Sequence, residues 1–367
     1  MQRIGGTLTL SRRFHCFMLG AGLGLLFALP SPAIAITTSV AMGGLDQPRG
    51  LTIAPDGSLL VAEAGTGGNS PCYEGPTGPT SFGSTGGISR LRKGVQERIL
   101  SGLPSAIDGN GFVIAGPVDV LASGKADLEV AIGLADEPSA RADCGAAAKL
   151  FGTLVHFTPN RKQKQVVDVA AYEAAANPDG GEVESNIYGL LARPDGVIAT
   201  DAAGHSLLGI ASDGTITTLG SFPSHASGQT IDSVPTSVAF GPDGAYYVGD
   251  FSGIPYPAGA ANVYRLSQGG QPTVFLSGFT AVIDIAFGPD GALYVLQFAS
   301  ESGLSGPGAL IRVAPDGSRT TVLSEGLITP TSVVVASDGT IYISNCGVFP
   351  GSGTVPCHGH VVKIAPS

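Results

Sequence analysis

Apolar and polar positions along this chain repeat as a phrase. In Ser237–Asp250, SVAFGPDGAYYVGD, an apolar run (Val238, Ala239, Phe240) meets Gly-Pro-Asp-Gly, and a second run (Tyr246, Tyr247, Val248) ends on an acid. Pro242 presets φ, Asp243 can bond its own backbone and Gly244 supplies a positive φ. The phrase therefore predicts a strand, a tight turn and an antiparallel strand. It recurs as DIAFGPDGALYVLQ at Asp284–Gln297, SVVVASDGTIYISN at Ser332–Asn345 and GLTIAPDGSLLVAE at Gly50–Glu63. GLLARPDGVIATD at Gly189–Asp201 is one residue shorter, and a worn copy, GPVDVLASGKADLEVAIG at Gly116–Gly133, lacks the Pro-Asp-Gly.

The turn aspartates fall at positions 56, 195, 243, 290 and 338, so the last three intervals are 48, 47 and 48 residues, the length of a four-stranded propeller blade. The first interval, 139 residues, holds two enlarged blades with the worn copy at its middle. A second hairpin follows each phrase, as in LIRVAPDGSRTTVLSEGL (Leu310–Leu327). A TIM barrel would need amphipathic helices between strands, and a two-sheet sandwich would not need six copies of one phrase. The pattern predicts an all-β fold, a six-bladed β-propeller spanning 36–367. HVVKIAPS at the C-terminus lacks an outer strand, and ITTSVAMGGL (Ile36–Leu45) resembles the missing one. Pairing of the two ends would close the ring and cover an open sheet edge.

Composition narrows the setting. Glycine (55) and proline (26) are abundant because each blade needs several turns, and tryptophan is absent, which dismisses a WD-repeat. Residues 1–35 read as a signal peptide: Arg3, Arg12 and Arg13 precede an apolar run from Phe14 to Leu29, then Ala33-Ile34-Ala35 offers a cleavage site. The run is short for a retained membrane span. Ser11-Arg12-Arg13 hints at twin-arginine export, with His15 departing from that signal. A periplasmic or secreted location is expected, with membrane contact only through the leader before cleavage. Losing three arginines and no acids takes the formal charge from −10 to −13, which disfavours nucleic acid as a partner.

Four cysteines remain beyond the leader: Cys72, Cys144, Cys346 and Cys357. An even number in an exported chain predicts disulfides. All four fall between the second and third strands (b and c) of their blades. Cys72 and Cys144 belong to neighbouring blades 1 and 2, and Cys346 and Cys357 to one loop of blade 6, so these are the expected pairs. Cys72 with Cys346 is the rival, since blade 6 also touches blade 1. A zinc site is disfavoured because no CxxC is present.

Turns from strand a to b and from c to d are nearly all tight, whereas the b–c connections are long: Ala64–Gly86, Leu134–Gly152, Phe251–Ala261, Ala299–Gly308 and Cys346–Gly359. They crowd one face, the upper face, where function is expected. The ends of the b strands point there: Glu63, Asp201, Asp250, Gln297 and Asn345. These predict either a polar ring at the channel mouth or caps on their own loops. The starts of the inner strands reach the same face and bring Arg49, Asn186 and Tyr188. Arg49 either neutralises Glu63 or Asp250 or meets an anionic or aromatic ligand. Between blades 2 and 3 the Ala-rich Ala170–Ala176 predicts a short helix, stopped by Asn177-Pro178, that could lie across the mouth as a partial lid.

No GxSxG elbow, HExxH, P-loop, EF-hand or GxGxxG opening a helix is present. His358 and His360 flank Gly359 in an i, i+2 spacing that a metal or merely one polar face of a strand could use.

Several segments resemble the ScyD/ScyE family of exported propellers, of the NHL/TolB-like six-bladed kind: GLDQPRGLTIAPDGSLLVAEAGTGG (Gly44–Gly68), SFGSTGGISRL (Ser81–Leu91), VVDVAAYEAAANPDGG (Val166–Gly181), and ESNIYGLLARPDG followed by DAAGHSLL. Ile187 and His205 depart from the family wording. The resemblance implies an exported protein linked to assembly of an indole-derived pigment (scytonemin), with a small, possibly aromatic or indolic ligand or a partner protein on the loop-rich face. A looser resemblance runs to six-bladed calcium-dependent lactonases, which bind a divalent cation through Glu, Asn and Asp. Glu63, Asn186 and Asp250 (or Asp201) would imitate that trio and imply a metal-dependent hydrolase. A non-catalytic extracellular interaction module is the third reading.

Overall fold

Where the repeated phrase predicts a tight turn, the chain makes one. Asp56, Asp243, Asp290 and Asp338 each accept the backbone N–H two residues on, at 2.9–3.3 Å, while Gly57, Gly244, Gly291 and Gly339 take φ of 76–84°. Asp213 and Asp316 repeat the device in the outer hairpins of blades 3 and 5. The structure, a computed structural model, describes residues 37–75, 78–109, 113–123, 126–226, 230–348 and 357–366. The expected leader at 1–35 lies outside them.

The described residues form six radial antiparallel sheets and one two-stranded ribbon. The inner strands are Pro48–Ile53, Pro117–Ser123, Ile187–Arg193, Pro235–Phe240, Val282–Phe287 and Ser332–Val335, and each touches the next around a closed ring. One apolar cluster fills each blade interface, for example Ile187, Leu190 and Leu208 with Val118 and Leu154 between blades 2 and 3. Alternation along the strands makes this possible, because a blade sandwiched between two neighbours presents apolar side chains on both faces.

Closure follows the expected route. Thr38–Leu45 pairs antiparallel with Gly359–Ile364, from Thr38 opposite Ile364 to Leu45 opposite Gly359, and becomes the outer strand of blade 6. Its Met42 is 1% exposed and packs with Leu45, Leu51, Val61 and Val361 between blades 6 and 1.

Blade 1 departs from the sequence reading. Ala64–Gly86 is not a plain loop: Ser70–Gly75 folds back on Gly78–Arg92, a 15-residue strand that also pairs with Val95–Asp108. Glycines permit the close approach, since a Cβ on Gly83 would lie 2.1 Å from the Gly67 carbonyl oxygen. Cys72, carried on this excursion, pairs with Cys144 at a Cα separation of 4.5 Å, and Cys346 pairs with Cys357 at 5.6 Å. Both expected pairs form, and the rival pairing does not.

The helix appears as Val169–Ala176 (α1), capped by the Asp168 carboxylate on the Ala171 N–H and ended by Asn177 in the left-handed region. It sits on the upper edge of blades 2 and 3, Ala170 against Gly152 and the Tyr172 hydroxyl on Thr218, and does not cross the mouth.

Two stability outcomes are expected in denaturant unfolding. Replacing Cys72 and Cys144 by alanine should cost about 4 kcal/mol, against about 3 for Cys346 with Cys357, because the longer link restricts the unfolded chain more. Met42→Ala should cost about 3 kcal/mol through the cavity left at the closing interface; a change under 1 kcal/mol would mean that the terminal strand does not hold the ring shut.

Candidate functional site

The six inner strands open alike: Pro48-Arg49-Gly50, Pro117-Val118-Asp119, Ile187-Tyr188-Gly189, Pro235-Thr236-Ser237, Val282-Ile283-Asp284 and Pro330-Thr331-Ser332. The third position works between blades. Asp119 accepts the Leu190 N–H of blade 3 at 2.8 Å, Asp284 accepts the Val333 N–H of blade 6 at 2.8 Å, and Ser332 accepts the Leu51 N–H of blade 1 at 3.0 Å. Gly50 must be glycine, because a Cβ there would lie 2.1 Å from Asp119 Oδ1. These side chains line a narrow channel of about 30 Å³, room for a water molecule.

The second position faces the mouth. Arg49, Tyr188, Thr236 and Ile283 form the floor of a cavity of about 490 Å³ on the upper face. Arg49 is 8% exposed and hydrogen-bonds the Tyr188 side chain. Tyr188 and Thr236 border both spaces, so this floor separates the cavity from the channel beneath. Burial pushes the Tyr188 phenol upward, and the adjacent Arg49 cation opposes that shift.

One wall is apolar. Phe251 meets Tyr256 edge-on at 5.9 Å and Phe298 at 5.5 Å, with Ile254, Leu304 and Val348 alongside. The wall comes from the long b–c loops of blades 4, 5 and 6. The blade 4 and blade 5 loops are tied together, Gly303 N–H to the Tyr256 carbonyl at 3.0 Å and Ala258 N–H to Ser302 Oγ at 2.9 Å. Glu184, Asn186, His205 and Asp232 supply the polar part of the lining, the Asp232 carbonyl accepting the Gly253 N–H of the blade 4 loop at 2.8 Å.

Of the residues expected at the mouth, Arg49, Asn186 and Tyr188 line this cavity. Glu63, Asp201, Asp250, Gln297 and Asn345 do not; they lie at most 7% exposed. Each accepts a backbone N–H from the segment entering its own blade: Asp46, Asn186, Val234, Thr280 and Ile328 in turn, at 2.6–2.9 Å. They tie down the entering segment; the caps on their own b–c loops that the sequence offered as the alternative to a ring form at Asp201, on the Gly204 N–H, and at Asp250, on the Ser252 N–H. Arg49 does not neutralise Glu63, whose carboxylate pairs with Arg98 at 2.6 Å. Of the candidate metal trio, Glu63 is taken by Arg98 and the Asp46 N–H, Asp250 Oδ1 accepts the Val234 and Ser252 N–H groups, and Asn186 lines the cavity. Among the described residues no group of three His, Cys, Asp or Glu side chains is placed to hold a metal ion. His360 bonds Asn345 at 3.2 Å and the His358 carbonyl at 2.8 Å, as part of the blade 6 strand edge. The sequence reading missed Phe251, Tyr256 and Phe298, whose signal was membership of the long loops or a place beside one, with no spacing to mark them; His205, in the short b–c turn of blade 3, was marked only by its departure from the family wording.

Buried acids give the protein an unusual pH response. Burial raises Asp284 to about 6 and Asp119 well above its ordinary value, the Asp284 carboxylate adding to the shift of Asp119. Glu173, on α1, is raised to about 7 by burial and by Asp201 and Asp179. A carboxyl with a raised folded pKa binds its proton more tightly when folded, so it stabilises the fold as pH drops towards the unfolded value near 4. The turn aspartates Asp56, Asp290 and Asp338 are lowered by their N–H or hydroxyl donors and act oppositely, losing stability below that value. Thermal midpoints should therefore rise from pH 8 to about pH 5 and fall below pH 4. Asp284 alone should contribute up to about 3 kcal/mol across its window. Asp284→Asn should flatten that part of the profile, and a midpoint rising steadily from pH 5 to 8 would contradict the assignment.

No protein-family model and no curated protein matches the chain. Solved structures match across its length. A glucose dehydrogenase aligns over 90% of this chain and 100% of its own at 13% identity and TM-score 0.55. The PQQ-bound aldose sugar dehydrogenase of Streptomyces coelicolor aligns over 91% and 100% at 11% identity and TM-score 0.54. A provisionally assigned gluconolactonase aligns over 90% and 92% at 11% identity and TM-score 0.52. At such identities the likeness is one of fold, and the fold is the six-bladed β-propeller.

Proposed function

We propose that this is an exported propeller that binds a small aromatic ligand in its upper mouth cavity. The observation that carries the reading is the lining of that cavity, which joins an aromatic cluster of Phe251, Tyr256 and Phe298 to the polar Glu184, Asn186, His205 and Asp232 over Arg49 and Tyr188. A planar ring can lie on the aromatic cluster while its polar substituents meet the polar groups, which is how specific small-molecule sites combine area with orientation. The volume, about 490 Å³, suits a molecule of one to three rings. Export is supported by the leader-like segment and by the two disulfides. Among the described residues no helix is long and apolar enough to cross a membrane. The resemblance to ScyD/ScyE proteins suggests indolic ligands and a role in pigment assembly. The lactonase alternative has less support, because the Glu63 carboxylate that would hold its cation is taken by Arg98 and by the Ser89 hydroxyl.

Indole is a convenient probe, since a chain without tryptophan leaves its emission free of protein background. Binding should shift and polarise that emission. Phe251→Ala should weaken it about tenfold, because Phe251 touches both other rings of the wall. Absence of binding up to the solubility of indole, or binding indifferent to this change, would refute the reading.

A further inference from the structure

Beside the aromatic wall the mouth cavity continues into a second hollow of about 570 Å³, and His205 borders both. Its Nδ1 lies 2.7 Å from Asp179 Oδ2. An ionised carboxylate only accepts, so Nδ1 carries the proton of the neutral ring and Nε2 keeps its lone pair.

Both partners are pinned from outside the pair. Asp179 Oδ1 accepts the Gly181 N–H at 2.9 Å, and the preceding Pro178 carbonyl accepts the Ser221 hydroxyl at 2.9 Å. The His205 carbonyl accepts the Phe222 N–H at 2.8 Å, and the Gly204 N–H is held by Asp201 at 3.0 Å. His205 has φ of 44°, a conformation that a side-chain-bearing residue keeps only where its surroundings impose it. The other titratable groups around the pair are acids: Glu182, Glu184 and Asp232 in the lining of the hollow, and Glu173 and Asp201 beneath Gly204.

We propose that His205, oriented by Asp179, is a general base serving the mouth cavity, so that an aromatic ester bound on the Phe251 wall is hydrolysed there. The inference rests on the binding reading above. His205 Nε2 takes a proton from water as the water oxygen bonds to the ester carbonyl carbon. Collapse of the adduct breaks the bond to the aryloxide, which leaves with its electron pair. The proton on the imidazolium then passes to that oxygen or to solvent, leaving a carboxylic acid and a phenol. Asp179 acts as a positioning residue that fixes the tautomer and stabilises the transient imidazolium.

The test uses p-nitrophenyl acetate with the purified protein, thermal unfolding as a check that each variant is folded, and indole binding by the unmodified protein as a check on the site. The protein should hydrolyse the ester above the buffer rate. His205→Asn suits the left-handed backbone and removes the base, so kcat should fall about 100-fold or to the buffer level. Asp179→Asn should lower kcat about tenfold or more with KM little changed. Nitrogen NMR of the unmodified protein should show the His205 ring protonated at Nδ1, a readout that needs no variant. The proposal is overturned by protein that binds indole but leaves the ester intact, by hydrolysis that survives His205→Asn, or by an Nε2-protonated ring. Loss of indole binding by the unmodified protein would instead overturn the reading on which it rests.

Discussion

Six sheets stay in a ring here because third-position side chains of three inner strands reach the backbone of the next blade. Asp119, Asp284 and Ser332 do so through hydrogen bonds, and Gly50 leaves room for Asp119 by having no side chain at all. The apolar clusters between blades supply most of the burial energy, but apolar contact is non-directional and would tolerate sliding. A carboxylate accepting an N–H across the interface does not. Two of these groups are acids in a space that holds little more than one water, so the ring depends on carboxyl groups whose charged form burial disfavours. The geometry that aligns the blades is also the source of the pH response.

This arrangement divides labour along each inner strand. The third residue faces the neighbouring blade and is committed to architecture. The second faces upward and is released for recognition, which is why Arg49 and Tyr188 sit together at the floor of the cavity. At the ends of the b strands the acids and amides are committed again, each holding the chain as it enters the blade. Function is therefore left to the inner-strand openings and to the long loops, whose lengths differ from blade to blade. Blades 4 and 5 build the aromatic wall, and the turn of blade 3 with the segment after α1 builds the His205–Asp179 pair.

The sequence by itself determined the blade. Asp-Gly turns between short apolar runs allow little besides hairpins, since the aspartate bonds its own backbone and the glycine alone takes the positive φ at no steric cost. The spacing of those turns settled the number of blades, the missing outer strand of the last blade settled how the ring closes, and the ring in turn settled which cysteines meet. All of these are local or nearest-neighbour properties, and a repeat states them several times over. The excursion of blade 1 escaped because its pairing is licensed by glycines, which carry no alternation to read.

Only the tertiary structure decided which polar residues were free to act. Glu63 and Arg49 look equally available in the chain, yet one is bound to Arg98 and the Asp46 N–H while the other opens onto the cavity. His205 and Asp179 are 26 residues apart and meet because the connection after α1 folds back over blade 3. Phe251 and Phe298 belong to different blades and share no spacing. A strand or a turn is encoded by residues a few positions apart, whereas a site is encoded by the vacancies left after the backbone has taken its partners, and that accounting closes only when the ring does.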